Sequence, residues 1–148
     1  MTLPYENATS GRTAVADMQA VLRTFEASSF GVMEDFERGE VLVQFECRGR
    51  RVSIRASSKG YAAAWLRRHP HTPRTRLSEV EHQRRALRIG QIAVYSILRD
   101  WIKGQVTAVE VGMLSFEGAF LGQILLADGR TVLERVEETK LLITEGNS

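Results

Sequence analysis

Between Val41 and Ala56 the polarity of the side chains alternates with a period of two. Val41, Val43, Phe45 and Cys47 take turns with Leu42, Gln44 and Glu46. After Arg48-Gly49-Arg50, Val52, Ile54 and Ala56 take turns with Ser53 and Arg55. That period belongs to strands with one face in a core and the other outside. A break of three polar residues makes a tight turn and hence antiparallel neighbours. Phe30–Phe36 reads as a further strand, joined through Glu37-Arg38-Gly39-Glu40. The result is a three-stranded antiparallel meander with one apolar face, which another layer must cover. Residues 13–27 supply it, with Val15, Met18, Val21, Leu22 and Phe25 at helical spacing.

The second half reads as mostly helical. Ala62, Ala63, Ala64 and Leu66 favour a short helix over Gly60–Arg68, which Pro70 and Pro73 terminate in an extended loop. Ser78 and Glu81 form a capping box. It opens a long helix to about Lys103, with Gly104 as the expected C-cap. Over 105–122, Val106, Val109, Met113 and Leu114 suit a helix that breaks near Gly112 and restarts at Ser115. The run Val109-Glu110-Val111 would also suit a strand. Ile124–Leu126 and Thr131–Leu133 flank Asp128-Gly129, the signal of a late β-hairpin. The expected fold class is therefore α+β: an N-terminal helix, a three-stranded antiparallel meander, then a mostly helical half. At 148 residues the chain is sized for one domain. Its expected layout is a loose arm over 1–12, an α+β domain over 13–136 and a partly ordered tail over 137–148.

Charge divides the chain into three. Residues 1–47 hold three Arg against eight Asp/Glu, residues 48–103 fourteen Arg/Lys against three, and residues 104–148 three against seven. The net charge of +2 thus hides a strongly basic middle between acidic ends. Seventeen of the twenty basic residues are arginine, whose planar fork suits bidentate contact with phosphate or carboxylate. On a helical wheel of 78–103, Ala86, Leu87, Ala93, Val94, Ile97, Leu98 and Trp101 share one arc, the expected core face. Arg84, Arg85, Arg88, Arg99 and Lys103 share the opposite arc with Ile92 and Tyr95. Arginine meets phosphate and an aromatic stacks on a base. That arc and the hairpin-tip cluster Arg48, Arg50 and Arg51 are the candidate nucleic-acid contacts. Arg67, Arg68, Arg74 and Arg76 bracket the proline loop. Solvation of an ordinary surface explains part of this charge, and Glu81 with Arg85 has the spacing of a helix ion pair.

Other chemistries find little support. A lone cysteine, Cys47, makes no internal disulfide, and its apolar neighbours predict a buried thiol. The N-terminus lacks the basic-then-apolar pattern of a signal peptide, and no apolar run is long enough to span a bilayer. The expected compartment is the cytoplasm, with no membrane partner. No GxxxxGK[ST], strand-borne GxGxxG, GxSxG or HExxH motif occurs. His69, His71 and His82 match no zinc spacing and are expected at the surface, so neither a metal nor a cofactor is expected. The order helix, three strands, helix also resembles the core of restriction-endonuclease-like nucleases. Such a core would put Asp35 on one strand and Glu46-x-Arg48 on the next, around Mg²⁺. Arginine stands there in place of the family's lysine and makes a poor base.

The stretch from Ala93 to Val132 carries a further likeness. Its Ala-Val-Tyr-Ser-Ile-Leu-Arg-Asp-Trp-Ile-Lys, Ser-Phe-Glu-Gly-Ala-Phe-Leu and Leu-Ala-Asp-Gly-Arg-Thr-Val segments resemble small proteins encoded in phages and prophages. The resemblance implies a mobile-element accessory protein in a bacterial cytoplasm and assigns no functional residue. The leading expectation is a non-catalytic module that contacts nucleic acid through the Arg-rich middle. The alternatives are a protein-binding accessory factor, as a homodimer or on a host or phage protein, and a divergent Mg-dependent nuclease.

Overall fold

A computed structural model describes residues 2–143. The first helix, α1 (Gly11–Thr24), starts where the Ser10 hydroxyl accepts the Thr13 N–H at 3.1 Å, which satisfies one of the orphan donors of the first turn. Ala14, Met18 and Leu22 recur at i, i+4 and are fully buried. Strands β1 (Ser29–Asp35), β2 (Glu40–Cys47) and β3 (Arg50–Ser57) follow as the expected meander, in spatial order β1-β2-β3. Val32 pairs with Val43 and Val43 with Ile54, so the apolar parity of all three strands lies on one face. In the turn between β2 and β3, Arg48 and Gly49 both have positive φ, 55° and 74°, the pair of left-handed residues that matches the twist of a hairpin.

Helix α2 (Ser58–Arg68) starts directly after β3, with Ser57 as its N-cap. The chain then loops through Pro70 and Pro73 into α3 (Glu79–Glu110), whose Ser78/Glu81 capping box forms as the sequence predicts. Gly104 does not end this helix. Val106 and Val109 carry the apolar stripe past it, and α3 runs for 32 residues until Gly112, at φ 75°, turns the chain. The helical reading of 105–110 therefore holds, as does the restart: Ser115 caps α4 (Phe116–Phe120). Phe116 stacks on Phe25 at 6.2 Å between ring centroids, and Phe120 meets Phe45 edge-on at 5.5 Å.

The expected late β-hairpin is reduced to one antiparallel bridge, Leu125 to Thr131, with no strand pair extending from it. A single 3-10 turn (Leu121–Gln123) leads to Ile124, which bridges to Val52, and the Leu125 N–H donates to the Arg51 carbonyl at 2.8 Å. The Asp128-Gly129 turn is present, with Gly129 at φ 86°. Beyond it Thr131 and Glu134 form a second capping box, and the chain becomes helix α5 (Val132–Thr139) instead of a return strand. Residues 2–10 form no helix or strand but are tied to the helices. The Tyr5 hydroxyl donates to Asp100 at 2.6 Å, the Tyr61 hydroxyl donates to the Pro4 carbonyl at 2.5 Å, and Glu6 meets His69 at 3.2 Å. Of the expected tail, residues 144–148 lie outside the described residues.

Two cores result. The larger joins α1, the sheet, α4 and the C-terminal half of α3. The smaller joins Ala62 and Trp65 of α2 to Ala86 of α3, flanked by Leu3, Leu66 and Ile89. Helix α3 therefore turns two different faces inward. His82, Ala86 and Gly90 face α2, whereas Val94, Leu98, Ile102 and Val106 face the larger core.

Candidate nucleic-acid interface

The N-terminal half of α3 lies antiparallel to α2 at close range. A Cβ on Gly90 would stand 2.6 Å from the Ser58 carbonyl oxygen and 3.1 Å from the Ala62 nitrogen, so only glycine lets the backbones approach this far. At the far end Trp65 stacks on His69 at 4.6 Å and tilts against His82 at 5.2 Å, and His82 meets His71 edge-on at 5.6 Å. The expectation of three surface histidines is thus corrected: His71 is exposed, His69 is half-buried and His82 is buried. The sequence shows no partner for His82, because its partner, Trp65, is distant along the chain. Two ring nitrogens are tied to the main chain, His82 Nε2 to the His69 carbonyl at 2.6 Å and His71 Nε2 to the Leu77 carbonyl at 2.8 Å. These bonds fasten the proline loop onto the helix pair. Among the described residues no three His, Cys, Asp or Glu side chains converge as metal ligands.

This helix pair and its loop carry eight of the twenty basic residues. Residues 58–92 contain eight Arg/Lys against two acids, Glu79 and Glu81. Both acids sit in the first turn of α3, where they complement the helix dipole. Glu81 is committed to the capping box and makes no ion pair with Arg85, contrary to the spacing argument. Arg67, Arg74, Arg76, Arg84, Arg85 and Arg88 are all exposed, and among the described residues none of them has an acidic group within ion-pair distance. Their guanidinium groups present their donors to solvent.

The rest of the predicted set is placed differently. Arg50 donates to Glu117 of α4 at 2.8 Å, Arg51 lies 3.6 Å from Glu46, and the Arg48 guanidinium sits 4.8 Å from the Phe25 ring centroid. The Glu117 carboxyl is held below its usual range by its own backbone N–H and by Arg50. Arg99 bonds Asp100 at 2.9 Å and lies 3.7 Å from Asp17. Lys103 is exposed on the outer side of α3. Arg50 reaches α4, whose Ala119 carbonyl accepts from Gln105 of α3, and Gln105 stands about 26 Å along the helix from Arg88.

Tyr95 is not a stacking platform. It is 8% exposed, and its hydroxyl donates to Glu34 of β1 at 2.5 Å. Burial and that bond push its ionisation well above the ordinary value. Leu87, expected in the core, is 44% exposed. Both reversals have one cause: a single wheel assumes one inward direction, and α3 has two. The residues that extend the Tyr95 side of the helix beyond the sheet, such as Leu87, are left uncovered. Beside Tyr95, a groove of about 690 Å³ runs between α1, β1 and α3, lined by Val15, Val32, Phe36 and Ile92. The sequence gives no sign of this groove, which three separate elements create.

The nuclease geometry is not assembled. Asp35 pairs with Glu40 and Glu46 with Ser29, at opposite ends of the sheet, about 20 Å apart at strand rise. Glu46 is engaged by Arg51. Cys47 is buried as expected, and burial raises its thiol pKa. None of the described helices is long and apolar enough to cross a membrane. The chain matches no family model, no curated protein and no solved structure.

Proposed function

We propose that this chain is a non-catalytic binding module that contacts nucleic acid through the α2–α3 end. The observation that carries the reading is the set of six exposed arginines, Arg67, Arg74, Arg76, Arg84, Arg85 and Arg88, without acidic partners among the described residues. Unpaired guanidinium groups on a packed helix pair and the loop between its helices suit a row of phosphates, because each contact releases condensed counterions. Trp65 and Tyr95 are buried, so base stacking adds nothing here. Contact is with the backbone, and a duplex, with its dense phosphates, is preferred over a single strand. Arg50, Arg51 and Arg99, engaged with carboxylates of the same chain, take no part. The resemblance of residues 93–132 to small phage-encoded proteins is compatible with such an accessory role in a bacterial cytoplasm.

Fluorescence anisotropy with labelled duplex DNA, single-stranded DNA and RNA tests this across about 50 to 200 mM salt. The reading expects duplex binding whose logarithmic salt slope is about −4 to −5, as for about five phosphate contacts. No binding at the lowest salt overturns it.

A second reading, an accessory factor for an acidic protein, is favoured by the groove beside β1, because apolar lining next to free cations suits a protein surface. Generic DNA displaces a nucleic-acid binder from its target but leaves such a protein complex intact.

A further inference from the structure

We propose that a second copy of this chain pairs with the free edge of β1, antiparallel, about a twofold axis at Val32. The two edges of the sheet differ. Beyond β3, Leu125 donates to the Arg51 carbonyl and Ile124 bridges Val52. Beyond β1, no strand lies alongside among the described residues. Free edges are usually blunted by charged side chains, proline or a bulge. Ser29–Asp35 contains no lysine or proline, its two charges, Glu34 and Asp35, stand together at one end, and its seven pairs with β2 follow one unbroken register. Met33 and Phe36 are 64% and 82% exposed beside it.

Self-pairing with the two core faces on the same side requires that inner residues oppose inner residues, so the axis passes through a residue. An axis at Val32 satisfies every position. Val32 opposes Val32, and Met33 opposes Gly31, where a side chain would meet nothing within 4 Å. Asp35 falls opposite Ser29, and Glu34 opposite Phe30, so no like charges meet. An axis at Met33 or Gly31 loses the Met33–Gly31 fit. With the axis at Val32, Phe30 of the partner copy also arrives beside Glu34 and Phe36, at the mouth of the groove lined by Val15 and Ile92. The occupant is therefore a second copy, and the product is a continuous six-stranded sheet. The pairing uses none of the α2–α3 arginines, so the inference stands apart from the nucleic-acid reading.

Light scattering after size exclusion measures the mass from about 1 to 100 μM, a span in which weaker interfaces of standard size dissociate. The expected mass is twice 16.6 kDa at the upper end, returning to 16.6 kDa in Met33→Lys with an unchanged circular dichroism spectrum. Full-length Val32→Cys, oxidised mildly, is expected to crosslink to itself, because directly opposed strand residues have Cα atoms about 4.5–5.5 Å apart. Ser29→Cys is expected not to crosslink, since its two copies stand about 20 Å apart across the axis. A mass of 16.6 kDa throughout overturns the proposal. So does a dimer in which Val32→Cys fails to crosslink or Met33→Lys changes nothing.

Discussion

Gly90 of α3 passes so close to Ser58 of α2 that a Cβ on the glycine would stand 2.6 Å from the serine carbonyl oxygen. This contact sets the separation of the two helices that carry the free arginines. Gly90→Ala forces the backbones apart, at a cost of about 1–3 kcal/mol, against which better helix propensity returns about 1 kcal/mol. The expected net loss is up to about 2 kcal/mol in urea unfolding. Gly104 sits on the same helix with nothing within 4 Å of such a Cβ, so Gly104→Ala is expected to stabilise by about 0.5–1 kcal/mol. Opposite signs from one substitution on one helix separate packing from propensity.

Tyr95 gives a prediction at alkaline pH. Burial first, and then its bond to Glu34, hold the phenol protonated above its ordinary value of 10.0. A group whose folded pKa is raised contributes stability that is complete below the unfolded value and lost as pH climbs towards the folded one. Stability is therefore expected to fall as pH rises past 10. Tyr95→Phe removes the ionisable group and flattens that fall. At neutral pH it leaves Glu34 without its donor, at a cost of about 1–2 kcal/mol. Urea unfolding midpoints of both proteins across the alkaline range check this.

The meander, the first helix and both Ser-capped helix starts were legible because each rests on residues close in sequence. Val41 to Cys47 alternate, Ser78 and Glu81 are three apart, and the Arg48-Gly49 turn needs no distant partner. What was not legible depends on contacts between distant segments. The buried state of Tyr95 follows from Glu34, and that of His82 from Trp65. Gly104 has the right residue type for a helix end, yet apolar residues on either side of it hold the helix together. The second strand of the expected hairpin lost to a local signal of the kind recognised at Ser78, the Thr131/Glu134 capping box. The basic middle was visible as charge. Its division into a paired cluster and a free one was not, because the pairing acids Glu117, Asp17 and Asp100 come from three different regions.

Glu6 predicts the response to acid. The Leu3 N–H first, and then His69, hold its carboxyl below the ordinary value of 4.5. A depressed folded pKa contributes stability that is present above the unfolded value and lost as pH falls through the folded one. The unfolding midpoint of Glu6→Gln is therefore expected to lie below that of the parent at neutral pH. The gap should narrow as the pH drops below 4.5. A gap that is constant with pH would mean the carboxylate charge does not hold the N-terminal segment.

The central claim is that free arginines, and not paired ones, form the binding face. The direct test compares Arg84→Ala/Arg88→Ala with Arg50→Ala/Arg51→Ala in duplex-DNA anisotropy over the same salt series. The first pair is expected to weaken binding and to lower the salt slope by about 2, one for each phosphate contact removed. The second pair, whose guanidinium groups already hold Glu117 and Glu46, is expected to leave the slope unchanged. Equal losses from both pairs, or a loss from the second alone, would contradict it.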